Sequence, residues 1–325
     1  MFAQAAFRLS QPVRQTFRKY TTGAVKGSNV NSLAYGIGAA GVAVGLGIYS
    51  YTQQQVAYAE APKQTKKVFT GGDQGFVGLK LGEVENLSHN TKRMRFEFAD
   101  KEAVSGLEVA SCLYTKYHPV GADKPVARPY TPVSDEEEPG YLDLIVKVYP
   151  NGAMSEHLHS MKVGDYLDFK GPILKYPWQL NKHEHIGLIA GGTGIAPMYQ
   201  LIRAIFKNPD EKTKVTLVLG NVREEDILLR KELEELEKKY PQRFKAYFLL
   251  YKAPKGWLGG RGFVSKDLLK TVLPAPEEEN IKLFVCGSPP LYQSVSGNKV
   301  SPFDQGELTG ILKELGYTKD QVFKF

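Results

Sequence analysis

The segment Arg128-Pro129-Tyr130-Thr131-Pro132-Val133-Ser134 is followed about twenty residues on by Gly152-Ala153-Met154-Ser155. The two carry complementary chemistry. A guanidinium forks two charge-assisted hydrogen bonds onto a diphosphate, and backbone N–H groups at a glycine-led helix start cradle the same anion. Arg128 supplies the first and residues 152–155 the second. Tyr130 adds a flat ring with a hydroxyl, and Thr131 a second hydroxyl, the groups needed to stack on and hydrogen-bond a conjugated ring system. The set reads as a flavin phosphate site.

Two further turns carry chemistry downstream. Gly191-Gly192-Thr193-Gly194-Ile195-Ala196-Pro197-Met198 closes one apolar run, and Cys286-Gly287-Ser288-Pro289-Pro290 closes another. The first departs from the GxGxxG fingerprint, because Pro197 stands where the third glycine would be. In the second, Gly287, Pro289 and Pro290 fix a sharp turn directly after Cys286. The chain has two cysteines, Cys112 and Cys286, too few for a secreted disulfide framework, and no Cys-His spacing suggests a metal site.

The elements that must position these residues fall into two patterns. Short β runs at residues 79–84, 92–98, 109–117, 127–132, 142–149 and 166–170, separated by polar turns, predict a small antiparallel barrel over 76–180. The acidic stretch 135–140 reads as a solvated hairpin turn within it. From 181 to 325 strands alternate with helices: buried runs at 186–190, 215–219, 244–250 and 283–285, with helices beginning near Pro197, Ile227 and Ser265. That alternation predicts a Rossmann-like α/β domain, which binds its ligand beyond the C-terminal ends of the strands.

With Leu144-Ile145-Val146-Lys147-Val148-Tyr149 added, these segments in this order resemble the NADH-cytochrome b5 reductase family, among the ferredoxin-NADP reductase-like flavoproteins, over roughly residues 75–325. Glu225 to Arg230 and the ending Val322 to Phe325 look like its fungal mitochondrial branch. The resemblance implies FAD and NADH as cofactors, hydride transfer from NADH to flavin, and single-electron delivery to cytochrome b5. It places the catalytic roles on Thr131, Thr193 and Cys286, with Cys286 beside the nicotinamide in a positioning role. Cofactor binding falls to Arg128, Pro129, Tyr130, Thr131, Ile145, Lys147, Gly152, Ala153, Met154, Ser155, Gly191, Gly192, Thr193, Gly194, Pro197, Cys286, Gly287 and Pro289.

One departure bears on cofactor choice. Family members place an acidic residue where this chain has Tyr251 and Lys252, and Lys252 would tolerate a 2′-phosphate. NADH is still the expectation, with NADPH open. Lys80, Lys162 and Lys175 are candidates for meeting the acceptor. Two other classes stay open: a membrane-tethered interaction protein without flavin, and an electron-input reductase for a different haem acceptor.

The 325 residues are 42% hydrophobic and 24% charged, ordinary for two globular domains. The net charge of +7 is largely local: no acidic residue precedes Glu60, while Arg8, Arg14, Arg18, Lys19 and Lys26 do. The other 37 basic residues nearly balance 35 acidic ones, which argues against nucleic acid as a partner. Phe2, Ala6, Leu9, Val13 and Phe17 recur at helical spacing among arginines, so residues 1–32 read as a mitochondrial leader, with a disordered basic tail as the alternative. Residues 33–51 carry no charge and at about 1.5 Å per residue cross roughly 28 Å, enough for a transmembrane helix. Residues 52–75 read as a polar linker. The expected location is the mitochondrial outer membrane, single-pass, or a form cleaved near residue 59 and released into the intermembrane space. Lysines on the C-terminal side of the span leave its orientation open.

Overall fold

The computed structural model describes residues 65–325. The expected leader, the expected span at 33–51 and most of the expected linker lie outside the described residues. Among the described residues no helix is long and apolar enough to cross a membrane.

The first domain is built from β1 (Val77–Ser88), β2 (Thr91–Glu97), β3 (Ser111–Tyr117), β4 (Val126–Tyr130), β5 (Tyr141–Lys147) and β6 (Tyr166–Leu174). They pair antiparallel in the order β4-β3-β6-β1-β2-β5. β2 and β6 alternate with a period of two over most of their length, while β5 is buried without a break from Leu142 to Val146. In β2, Met94 and Phe96 are fully buried, while Arg93 and Arg95 turn outward to Glu83 and Asp143. The edge strands are drawn together just beyond β4, where the Val133 N–H donates to the Asp143 carbonyl at 2.9 Å. Inside, Phe96 meets Phe169 edge-on at 4.9 Å, and Leu81, Leu113, Leu142 and Leu144 fill the remaining core.

The barrel reaches back into the stretch read as linker, a correction to the 52–75 boundary. Val68 and Phe69 donate N–H bonds to Val104 and Ser105, and Phe69 is buried in the barrel core. An isolated apolar pair in a polar stretch carries no periodicity by which to place it.

The second domain holds β7 (His185–Gly191), β8 (Lys214–Asn221), β9 (Phe244–Leu250), β10 (Gly260–Arg261), β11 (Ile281–Cys286) and β12 (Val322–Lys324). All pair parallel, in the order β10-β9-β8-β7-β11-β12. Ile186, Leu188, Ile189 and Ala190 of β7 are all fully buried, as expected for a strand covered on both faces. The chain order reverses between β7 and β11, so the turns after these two strands emerge side by side. The flanking helices include Ile195–Lys207, Arg230–Lys239, Lys266–Val272 and Pro289–Val295. Ser265 caps the third, its hydroxyl accepting from the Leu268 N–H at 3.2 Å. The second starts later than the sequence suggests, because Leu229 is left-handed (φ 57°) after a short 3-10 turn at Glu224–Asp226.

The two domains share a core: Val133, Ile145 and Tyr176 belong to the same buried cluster as Leu188, Met198 and Phe284. Ion pairs finish the junction. The acidic turn after β4, expected to be solvated, instead meets the helix Ile195–Lys207. Arg203 lies 3.1 Å from Glu136 and 3.6 Å from Asp135, and Lys207 reaches Asp135 and Glu137 at 3.0 and 2.6 Å. The short-range sequence pattern shows a turn but not the basic helix that arrives from about seventy residues later.

Candidate functional site

A cavity of about 1210 Å3 lies between the barrel strands β4 and β5 and the C-terminal ends of β7, β8 and β11. It gathers Pro129, Tyr130, Thr131, Ile145 and Lys147 from the barrel. From the parallel sheet it gathers Gly191, Gly192, Thr193, Gly194, Pro197, Cys286, Gly287 and Pro289. Residues read from four separate sequence segments therefore face one space.

Arg128, Gly152, Ala153, Met154 and Ser155 are not part of that lining. Arg128 is exposed on β4, its guanidinium donating to the Ala127 carbonyl at 2.7 Å. Gly152 precedes the helix Ala153–Ser160, which packs against β4 and β5, so the two halves of the expected diphosphate site are neighbours. Two side chains there are already committed. Met154 is buried in the barrel core, and the Ser155 hydroxyl donates to the Gly152 carbonyl (2.9 Å) and accepts from the Tyr149 N–H (3.2 Å). The anion-binding capacity of this turn therefore rests on backbone N–H groups, which no side chain caps. Glycine is required at its start, since a Cβ on Gly152 would sit 2.4 Å from Ser155 Oγ and 2.9 Å from the Tyr149 carbonyl oxygen.

Within the cavity, burial pushes the Tyr130 phenol up to about 12, with Tyr149 adding to it, so at neutral pH the hydroxyl is a donor. Burial likewise pushes the Cys286 thiol up to about 11, against hydrogen-bond contact with the Tyr292 hydroxyl. Cys286 is therefore a neutral thiol, suited to placing a ligand and not to nucleophilic attack. Tyr292 is anchored by donating to the Phe325 carbonyl at 2.8 Å.

Phe263, Asn221 and Lys299 line the cavity without a sequence signature as site residues, and Tyr251, read only as a departure bearing on cofactor choice, lines it too. The Tyr251 and Phe263 rings lie 4.7 Å apart, tilted by 30°, in the cavity lining, while Lys252 is exposed and does not line the cavity. Asn221 closes β8, and neither atom of its buried side-chain amide has a partner. Lys175, expected on an outer docking face, lines the cavity, as does Lys299. Lys80 and Lys162 are exposed elsewhere on the barrel. Among the described residues no aspartate or glutamate side chain lines the cavity, whereas three lysines do, and the Asn221 amide has no partner. Positive lining, aromatic side chains and glycine turns fit anionic dinucleotides with flat rings. Among the described residues no cluster of His, Cys, Asp or Glu can hold a metal ion.

Residues 78–178 match the oxidoreductase FAD-binding domain family, and residues 188–297 match the oxidoreductase NAD-binding domain family. The chain is 68% identical to NADH-cytochrome b5 reductase 2 of Aspergillus oryzae over the whole of both chains, and 60% identical to the protein of that name in Ajellomyces capsulatus. Among solved structures, the cytochrome b5 reductase domain of Ulva prolifera nitrate reductase superposes with a TM-score of 0.68 at 29% identity, covering 80% of this chain and 100% of that one. A ferredoxin NADP+ reductase from Neisseria gonorrhoeae shares the fold at 16% identity, with a TM-score of 0.61, covering 77% of this chain and 98% of that one.

Proposed function

The chain belongs to the NADH-cytochrome b5 reductase family, and from that premise we propose how its cavity performs the reaction. The protein is an oxidoreductase that takes electrons from NADH through FAD to cytochrome b5. The observation that carries this reading is the single cavity in which flavin-type residues of β4 and β5 face the nucleotide turns after β7 and β11.

Bound FAD supplies the conversion of a two-electron hydride donor into one-electron deliveries. The protein's own groups bind, orient and exclude water. Arg128 and the N–H groups of residues 152–155 hold the diphosphate, and Tyr130 and Thr131 offer hydroxyls to the ring. Thr193 and Cys286 place the nicotinamide from the opposite wall, with Gly191, Gly192 and Gly194 allowing close backbone approach. Ile145 gives an apolar surface and Lys147 a positive charge on the barrel side. Tyr251 and Phe263 would offer the dinucleotide an aromatic surface.

NADH is the preferred donor in this reading, as the names of the full-length relatives suggest. The leader and the uncharged run at 33–51 support an anchored protein of the mitochondrial outer membrane, or a processed form in the intermembrane space. Import into isolated mitochondria followed by carbonate extraction separates these: the anchored form stays in the pellet, and quantitative release contradicts it. For the activity, purified full-length protein with FAD should reduce ferricytochrome b5 in an NADH-dependent manner. Reduction of ferricyanide without reduction of cytochrome b5 would point to a different haem acceptor.

A further inference from the structure

Two of the three lysines in the cavity wall come from opposite domains and lie outside every motif. Lys175 follows β6, and Lys299 sits in the loop after the helix Pro289–Val295. The Lys299 ammonium donates to the carbonyl oxygens of Lys324 at 3.0 Å and Pro302 at 3.4 Å. Carbonyls orient an ammonium but do not neutralise it. Among the described residues neither Lys299 nor Lys175 forms an ion pair. The Lys175 ammonium instead stands 5.3 Å from the Phe303 ring centroid.

Both residues border the same cavity. Burial, then Lys175 and more weakly Lys324, lower the Lys299 pKa, while Cys286 and Cys112 raise it. Holding like charges together in a half-buried wall costs free energy unless negative charge arrives between them. The reaction brings such a charge. A hydride carries two electrons and one proton, so its transfer to a neutral ring would leave one negative charge on the acceptor and one positive charge on the donor ring, and the negative charge alone would remain once the oxidised nucleotide leaves.

We propose that Lys299, supported by Lys175, is the charge-compensating group of this cavity and raises the reduction potential of the bound FAD. The inference rests on FAD occupying the cavity, as given above. Neither residue is needed to hold the diphosphate, so flavin content and potential are separable.

The test is the midpoint potential of full-length FAD-loaded protein, read by equilibration with a redox dye. Lys299→Met should make the potential more negative, lowering the reduced-to-oxidised ratio roughly tenfold or more, about 30 mV for a two-electron couple. Lys299→Arg should restore most of the shift, and Lys175→Met should move the potential the same way by less. A Lys299→Met protein with full flavin content and wild-type potential overturns the proposal. If Lys299→Met does not fold, an unchanged potential in Lys175→Met overturns it instead. A wild-type protein with no flavin spectrum would overturn the functional reading, a result distinct from either.

Discussion

A Cβ on Gly194 would stand 2.2 Å from the carbonyl oxygen of Cys286 and 3.1 Å from the Gly287 nitrogen. The turn after β7 and the turn after β11 are thus packed backbone to backbone at the point where the sheet reverses order. No flexible side chain can yield there. Gly194→Ala should cost about 3 kcal/mol or more in unfolding free energy. It should also abolish rapid flavin reduction by NADH; urea denaturation and rapid mixing check the two effects.

Cys286 is held as a neutral thiol by burial, with Tyr292 beside it. A positioning role predicts that Cys286→Ser retains its FAD, judged by the visible spectrum, while hydride transfer slows by about tenfold to a hundredfold. Unchanged reduction kinetics would remove Cys286 from the site.

Arg203 bridges the domains by pairing with Glu136, and both side chains are largely buried, at 14% and 16% exposure. Burial pushes the Glu136 pKa up and Arg203 opposes it, so removing the guanidinium strands the carboxyl. Arg203→Met should destabilise the protein by about 2–4 kcal/mol. Lys207→Ala, at a far more exposed site, should cost less than about 1 kcal/mol. Thermal melts of the two variants make the comparison.

His183 lies in the same junction, its Nε2 2.7 Å from the Tyr176 hydroxyl, and burial pulls its pKa from 6.5 down to about 4. The folded protein resists protonation that the unfolded chain accepts. Stability from this group is therefore present above pH 6.5 and is lost as pH falls toward 4. The loss is about 3 kcal/mol at most. His183→Gln should flatten the stability profile over that window, and an unaltered slope would exclude His183 as its source.

The aromatic surface of Tyr251 and Phe263 carries no carboxylate to repel a 2′-phosphate, while the exposed Lys252 lies outside the cavity lining. The preference for NADH should therefore be moderate. Values of kcat/KM for the two nucleotides give it directly, and a ratio near one would remove the preference.

Much of this architecture was legible in the chain. The six barrel strands and four of the six parallel strands follow from period-two and apolar-run patterns, and 13 of the expected site residues meet in one cavity. What escaped had no local signature. β10 is two residues long, and β12 is specified by the neighbour it joins. The clasp between Arg203 and Glu136, and the shared cavity lining of Lys299 and Lys175, depend on residues brought together across the domain boundary. Met154 lies in the first turn of the helix Ala153–Ser160, where the barrel takes its side chain and leaves only its backbone to the site.

The most direct measurement is anaerobic rapid mixing of the FAD-loaded full-length protein with NADH, followed by ferricytochrome b5, with flavin and haem bands recorded together. One cavity serving both cofactors requires that NADH bleach the flavin band, and that the band recover as two haem groups are reduced per NADH consumed. Haem reduction without prior bleaching, or bleached flavin that ferricytochrome b5 fails to reoxidise, would contradict it.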